Sequence, residues 1–510
     1  MTPSTSLQQR LAALENHLRA ENPNLLPVIP TFRSFDQVLY RLGLLTPSDS
    51  LTTRIPWWPM IAVLGTFSAG KSTFVNTYLG TQLQTTGNQA IDDKFTVVCL
   101  GGQTKYEALP GTALNADPRF PFYQIADEIE KVAAGEGKRI DSYLQLKTLD
   151  SDRIKGKILI DSPGFDADDQ RNSVLRLCDH IIDLSDLVLI FFDARHPEPG
   201  AMHDTLHHLV SKAVKRADAR KFLYILNQVD TTAGEDNFEA VFGAWQRSIA
   251  QAGLISGRFY GIYNKAAAVP ISNPAQRARY ESKCEADLAE IHGRIAEVEV
   301  GRGYRIVGMI DAIAKEVEGE TIPLVEQTVA RWRQTVLVGD ALWLGIMAGV
   351  LGLLGFQLGP ETLADAANWL MEGQGPTVLG MPLRMSVFLG VLLALFLSGH
   401  YYLRAAVAGR ISLRLPDRLG HADLNPRNAF LLNTRFYRSL FRRTAVGWNR
   451  GARQRLFAIR ETVALHVQRL NDIYTDPAGR RPPEVTEPAA TTAPVRATGR
   501  VAEPDAAPGD

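Results

Sequence analysis

Residues 65–73, GTFSAGKST, hold Gly65, Gly70, Lys71 and Ser72 at the spacing G-x4-G-K-S, the signature of a phosphate-cradling loop. Glycines let the backbone curl so that successive N–H groups converge on phosphate oxygens. The expected nucleotide contacts are therefore Gly65, Thr66, Phe67, Ser68, Ala69, Gly70, Lys71, Ser72 and Thr73. Lys71 would reach the β and γ phosphates and the Ser72 hydroxyl would bind Mg2+. The strand-like MIAVLG before the loop and the helix-like FVNTYLG after it supply the required context, with the positive end of the helix aimed at the phosphates.

Two further motifs follow in the order such a site needs. KILIDSPGF places Asp161-Ser162-Pro163-Gly164 at the end of a second strand-like run. There Asp161 can hold Mg2+ through water and the Gly164 N–H can sense the γ phosphate. FLYILNQVD then offers Asn227, Gln228 and Asp230. A carboxylate at Asp230 can accept two hydrogen bonds from the guanine edge, which adenine does not provide. Gln228 stands where a lysine stem would stack under the base, so GTP and ATP both stay open. His203 and His207 lie four apart on an expected helix, but no HExxH glutamate accompanies them. A solvated face is the simpler reading.

The elements that must position these residues divide the 510-residue chain. Helices are expected over residues 1–56, with FDQVLYRLGLL the clearest periodic piece. Over 57–274, the aliphatic runs MIAVLG, FTVVCLG, KILID, LVLIFFDA and FLYILNQVD alternate with amphipathic stretches, the pattern of a mostly parallel, covered sheet. Helical stalk segments are expected at 275–334 and 405–475, packed together, with a membrane hairpin at 335–404 between them. Residues 476–510 are Pro/Ala-rich and carry too little apolar surface to fold.

The hairpin rests on two apolar runs, at 341–358 and 386–403, each about long enough to cross ~30 Å of hydrocarbon as a helix. Arg331 and Arg333 precede the first and Arg404 and Arg410 follow the second, while the loop between carries Glu361, Asp365 and Glu372 against Arg384. The positive-inside rule puts both termini in the cytoplasm. Gly345 and Gly349 form a GxxxG that could let the two helices pack. From Arg404 to Tyr474 there are fourteen Arg, no Lys and four acids, a charge block suited to an anionic membrane surface or to a solvated helical face. Lys+Arg equals Asp+Glu over the whole chain, and no nucleic-acid partner is expected. Cys99, Cys178 and Cys284 are far apart, which argues against a disulfide framework or zinc site.

GTFSAGKSTFVNTYLG, with Ser68 inside the loop, resembles the dynamin superfamily. PGTALNADPRFPF (110–122), DSPGF, VLIFFDARHPE (188–198) and ILNQVD are similar to the EH-domain-containing ATPases within it. The resemblance spans roughly residues 55–325, including ARYESKCEADLAEIHGRI. It implies a dimerising nucleotide domain on a helical stalk that assembles on membranes and remodels them. It also implies that Ser68 positions the attacking water or stabilises the leaving phosphate. The C-terminal region holds no D-x-D-x-D-G, so a member without the EH domain is expected. Aligned on the switch I pattern of that superfamily, TGNQAIDDKF puts Ala90 at the usual proline and Asp92 at the magnesium-binding threonine. Asp92 or Asp93 would then bind the ion directly or through water. Two unit charges ~6 Å apart at an effective dielectric of ~20 repel by about 2.8 kcal/mol, a cost that Mg2+ between them offsets.

The resulting expectation is an α/β P-loop NTPase: a dynamin-type G domain with a flanking helical stalk and a two-helix transmembrane hairpin. The catalytic residues would be Ser68, Lys71 and Asp92, and the metal ligands Ser72, Asp161 and Asp92. Partners would be GTP or ATP, Mg2+, a bilayer rich in anionic lipid, and a second copy through the G domain. A bacterial inner membrane is the expected location. The alternative is a nucleotide-dependent switch or scaffold with little hydrolysis.

Overall fold

The computed structural model describes residues 5–66, 68–84, 94–101, 107–120, 140–164, 171–195, 219–235, 237–251, 257–371, 376–378, 381–420 and 422–475. The expectations for Phe67, Ala90, Asp92, Asp93, His203, His207 and the tail 476–510 lie outside them.

Eight strands form one mixed sheet: β1 (Met60–Gly65), β2 (Phe95–Leu100), β3 (Glu107–Pro110), β4 (Leu144–Leu149), β5 (Ile158–Asp161), β6 (Leu187–Asp193), β7 (Phe222–Asn227) and β8 (Arg258–Ile262). Their order is β3-β4-β2-β5-β1-β6-β7-β8. β1 runs parallel to both β5 and β6, with Val63 opposite Asp161 and Gly65 opposite Phe191. Only β2–β5 and β3–β4 are antiparallel. The five aliphatic runs are β1, β2, β5, β6 and β7, and four of these are buried along their whole length. That is why they read as continuous apolar stretches rather than alternating ones. β3, β4 and β8 escaped the sequence reading, because EALP, LQLKTL and RFYGI are short or carry charge.

Helices cover the sheet and build the stalk. α1 (Thr5–Glu21) and α2 (Ile29–Leu42) come first, then α3 (Lys71–Leu79), α4 (Arg171–Leu184) and α5 (Phe238–Gln251) within the sheet domain. α6 (Pro274–Glu316) opens on Asn273, whose side chain accepts from the Ala275 N–H at 3.0 Å, with Pro274 in the first turn. That is a strong helix start. A π-turn at Val317–Thr321 joins α6 to α7 (Ile322–Met371). Pro323 explains the slip, since it has no N–H to give and its ring crowds the carbonyl four residues back. α8 (Leu383–Ser412), α9 (Pro426–Asn433) and α10 (Arg450–Thr475) complete the chain.

α10 returns along α6 and α2. Tyr304 donates to Asn471 at 2.6 Å, Arg460 pairs with Asp311 at 2.9 Å, and Thr31 bonds His466 at 2.9 Å. α1 buries a leucine stripe, Leu7, Leu11, Leu14 and Leu18, and joins the same core through Leu14 and Leu18. Residues 434–449, expected to be helical, form turns instead.

α7 and α8 project as a pair and, among the described residues, are the two helices long and apolar enough to cross a membrane. Their apolar side chains face outward, Val338, Leu342, Ile346, Leu353 and Phe356 on α7 and Val387, Val391 and Leu393 on α8 among them. α7 breaks at Gly359 (φ +75°), just before Pro360, where the proline disfavours helical geometry in the residue ahead of it. Between the helices sits a two-strand ladder, β9 (Thr377–Val378) and β10 (Met381–Pro382). The GxxxG expectation is corrected here. A Cβ on Gly345 or Gly349 would meet nothing within 4 Å, whereas one on Gly399 would lie 2.3 Å from the Trp343 indole nitrogen. Trp343 against Gly399 is thus the close crossing. His400 and Asp340 pair at 2.7 Å one turn away.

Candidate functional site: a nucleotide pocket at the end of the sheet

The pocket begins where β1 runs out. Gly65 has φ +155° and a Cβ there would lie 2.4 Å from the Phe191 carbonyl of β6. Gly70 has φ +82° and a Cβ would lie 2.2 Å from the Asn227 amide nitrogen. Both positions need glycine on space and on backbone angle together. Between them Ser68 also holds a left-handed conformation, φ +56°, which costs a non-glycine residue of order 1 kcal/mol. The loop is held from behind by β7. Asn227 Nδ2 donates to the Ala69 carbonyl at 2.9 Å, and Gln228 Nε2 donates to the Ser68 carbonyl at 2.7 Å. Gln228 itself sits at φ +63°. Its amide therefore braces the phosphate loop.

Lys71 opens α3 and is 6 % exposed. Its ammonium donates to the Gly65 and Thr66 carbonyls at 3.0 and 2.8 Å. Burial pushes its pKa down to about 8, against the opposing pull of the Asp161 carboxylate. Ser72 and Thr73 follow in the first turn, both half-buried. The Ser72 hydroxyl donates to Asp161 Oδ2 at 3.2 Å, so the two residues expected to hold Mg2+ come together. A hydroxyl and a carboxylate at that separation suit a hard cation. Among the described residues no group of three or more His, Cys, Asp or Glu could hold a metal. Gly164 lies three residues beyond Asp161, at the edge of residues 165–170, which are not described.

Two side chains that sequence reasoning missed hold Asp161. Gln84 Nε2 donates to Asp161 Oδ2 at 2.8 Å, and Lys147 Nζ on β4 donates to Gln84 Oε1 at 2.5 Å. Gln84 and Lys147 are buried, at 3 % and 7 % exposure. Asn76 of α3 fixes the same spot from the backbone side, accepting from the Leu83 and Gln84 N–H groups and donating to the Gln84 carbonyl. Gln84 leads directly into residues 85–93. The segment expected to carry Asp92 therefore leaves from a point tied to the Asp161 carboxylate. A lysine in the strand LQLKTL was the only sequence signal, and nothing local links it to a glutamine 63 positions earlier.

Just past β7, where base reading was expected, Asp230 is 5 % exposed and Oδ2 accepts from the Val269 N–H at 2.8 Å. Burial raises its pKa, while that hydrogen bond and Arg195 pull the other way. Arg195 itself is anchored on Asp193 at the end of β6. The β8–α6 connection, residues 263–273, thus joins the pocket through Val269. Arg119, from the 110–122 motif, is elsewhere. It is buried, pairs with Asp117 at 2.7 Å and Glu21 at 3.2 Å, and donates to the Leu100 carbonyl. It clamps α1 to the end of β2; residues 121 and 122 are not described.

A phosphate loop braced from a neighbouring NxxD strand, with a hydroxyl–carboxylate pair across from it, defines a P-loop nucleotide-binding domain on a mixed sheet. The kind is narrower still: residues 61–229 match the model of the Dynamin family, and this part of the chain is a dynamin-type G domain carried on a helical stalk. No curated protein matches the chain. Solved bacterial structures align along most of its length. Two come from "an oligomerised bacterial dynamin pair" described as a mechanism for long-range sensing and tethering of membranes. One is 12% identical over 92% of this chain and 76% of its own, the other 13% over 87% and 78%, both at TM-score 0.30. A third is "LeoA bacterial dynamin GTPase from ETEC", 13% identical over 92% and 89%, TM-score 0.27. The assignment stands on the family model and the pocket rather than on these superpositions.

Proposed function

We propose that the chain is a membrane-anchored dynamin-type NTPase of the EH-ATPase kind, which hydrolyses GTP in preference to ATP. Turnover would drive self-association of G domains and remodelling of the bilayer that holds the α7–α8 hairpin. The observation that carries this reading is the convergence of Lys71, Ser72 and Asp161 at the mouth of the glycine loop, in a chain whose stalk helix α6 leads into an outward-facing apolar pair. Phosphoryl transfer to water needs positioning and charge stabilisation more than covalent chemistry. Lys71 would neutralise the β and γ phosphates. Ser72 and Asp161, with Asp92 from the neighbouring segment, would hold Mg2+, which supplies charge neutralisation between the phosphates. Ser68 would orient water when two G domains meet. Asp230 would read the base. In this proposal the hairpin crosses a bacterial inner membrane, with both termini in the cytoplasm.

One sequence feature favours a second reading: Asp92 replaces the expected threonine, which fits a regulatory switch with little turnover. Phosphate release from GTP and from ATP, measured beside Lys71→Ala and Asp92→Ala, tests both. The proposal expects release that both substitutions abolish. Wild-type protein that binds nucleotide but releases no phosphate above the Lys71→Ala background would overturn the hydrolase reading and leave the switch.

A further inference from the structure

Residues 435–443, RFYRSLFRR, sit at the foot of the hairpin in a stretch without helix or strand. Three large aromatic side chains point away from the protein there: Phe436 is 73 % exposed, Tyr437 55 % and Phe441 76 %. Four arginines alternate with them, and no acid occurs between Thr434 and Asn449. Arg435, Arg442 and Arg443 are exposed, and Arg438 lies over the Tyr437 ring at 5.1 Å. The segment is nonetheless firmly held. Leu440 is buried with Trp332, Val336, Ala408 and Phe430. Arg404 of α8 donates to the Arg435 and Arg438 carbonyls at 3.1 and 2.8 Å. The Ala445 N–H donates to Glu326 and the Val446 N–H to Asn433.

Exposed aromatics on a fixed loop call for a partner, and position says which one. Val336, which Leu440 packs beside, is adjacent to Leu337, where the outward apolar face of α7 starts. At 1.5 Å rise per residue, the segment lies within about 10 Å of the edge of that face. Tyr401 and Tyr402, the exposed aromatics at the same end of α8, continue into it. An aromatic band flanked by arginine at the end of an apolar helix pair fits the headgroup layer of a bilayer. A single sign of charge selects anionic lipid.

We propose that residues 435–443 insert into the headgroup layer beside the hairpin, Phe436, Tyr437 and Phe441 entering the interface while Arg435, Arg442 and Arg443 bind anionic phospholipid. This deepens the anchoring proposed above and rests on it. It makes the foot of the stalk a second contact, distinct from the spans, that fixes the stalk's angle to the membrane.

The test uses the full chain in lipid vesicles with an environment-sensitive dye on Phe441→Cys. Val350→Cys serves as the hairpin probe and Glu290→Cys as a stalk probe; the three native cysteines are buried. Each is quenched by aqueous iodide and by lipids bearing nitroxide near the headgroup or deep in the chain. The expected result is shallow-nitroxide quenching at position 441, several-fold stronger in vesicles containing phosphatidylglycerol than in pure phosphatidylcholine. Arg442→Gln/Arg443→Gln should remove that difference. Iodide quenching at 441 equal to that at 290 overturns the proposal. So does shielding from iodide and nitroxide alike, which would mean that protein covers the loop. Equal quenching in the two lipid mixtures overturns the anionic-lipid assignment. Deep quenching at 350 reports the hairpin separately, so its loss would mark failure of the anchoring reading instead.

Discussion

Glycine serves opposite ends of this molecule for opposite reasons. In the nucleotide pocket Gly65 and Gly70 are demanded by contact and by angle, each with positive φ and each with no room for a methyl group. In the hairpin Gly345, Gly349 and Gly352 face open space, while Gly399, under the Trp343 ring, has the tightest contact among the described hairpin glycines. The pocket is a set of buried polar groups that must be satisfied inside the protein. The hairpin is an apolar surface turned outward, where a side chain more or less changes little. Function is concentrated where the geometry leaves no freedom.

The sharpest way to break this contrast is to make the same substitution at both ends. Gly70→Ala forces a left-handed alanine, at ~1–2 kcal/mol, and a clash with Asn227. Nucleotide affinity, read by calorimetry, should drop on the order of 100-fold or more. Gly345→Ala should leave affinity unchanged and stabilise the helix by up to ~1 kcal/mol. Equal effects at the two sites would end the comparison.

Within the hairpin, Gly399→Ala should stand apart from its neighbours. Overpacking against Trp343 should cost about 1–3 kcal/mol, visible as a lower unfolding midpoint in detergent, while Gly349→Ala shows no loss. Within the pocket, Lys147→Met leaves the buried Gln84 side-chain oxygen Oε1 without its donor, worth ~1–3 kcal/mol. Because Lys147 acts on Asp161 only through Gln84, turnover should fall about tenfold, and the Mg2+ concentration for half-maximal rate should rise. A loss of rate with an unchanged Mg2+ requirement would show that Lys147 only holds the fold.

The smallest effect is a pH dependence. Lys71 titrates near 8 in the free protein, and a bound triphosphate favours its charged form. Affinity is therefore full below that value, and binding at higher pH must take up a proton. It should weaken by up to about tenfold per pH unit above it. Calorimetry in buffers of different ionisation enthalpy would register the uptake, and flat affinity between about pH 7 and pH 9 would contradict it.

Those same contrasts explain what the sequence made legible. The phosphate loop, Asp161 and the Asn227–Asp230 motif could be read because their chemistry fixes residue types at short spacing. Strands β1, β2, β5, β6 and β7 could be read because burial on both faces makes them continuous aliphatic runs. Gln84–Lys147 could not, since the pairing is made only when β4 docks beside β2. Nor could the Val269 contact to Asp230, which depends on the edge strand β8. The hairpin's length was visible in hydropathy, but its packing face was not: a Gly-rich run offers several GxxxG-like choices, and Trp343 selected Gly399.

The most direct test of the account is turnover in proteoliposomes as a function of protein density in the membrane. GTP hydrolysis per molecule should rise with density, since the proposed mechanism has Ser68 and the neighbouring segment complete the site only when G domains meet, and Lys71→Ala should stay at background throughout. Activity per molecule that is measurable yet independent of density would contradict the account, and would leave a G domain whose nucleotide acts as a switch rather than as the driver of assembly.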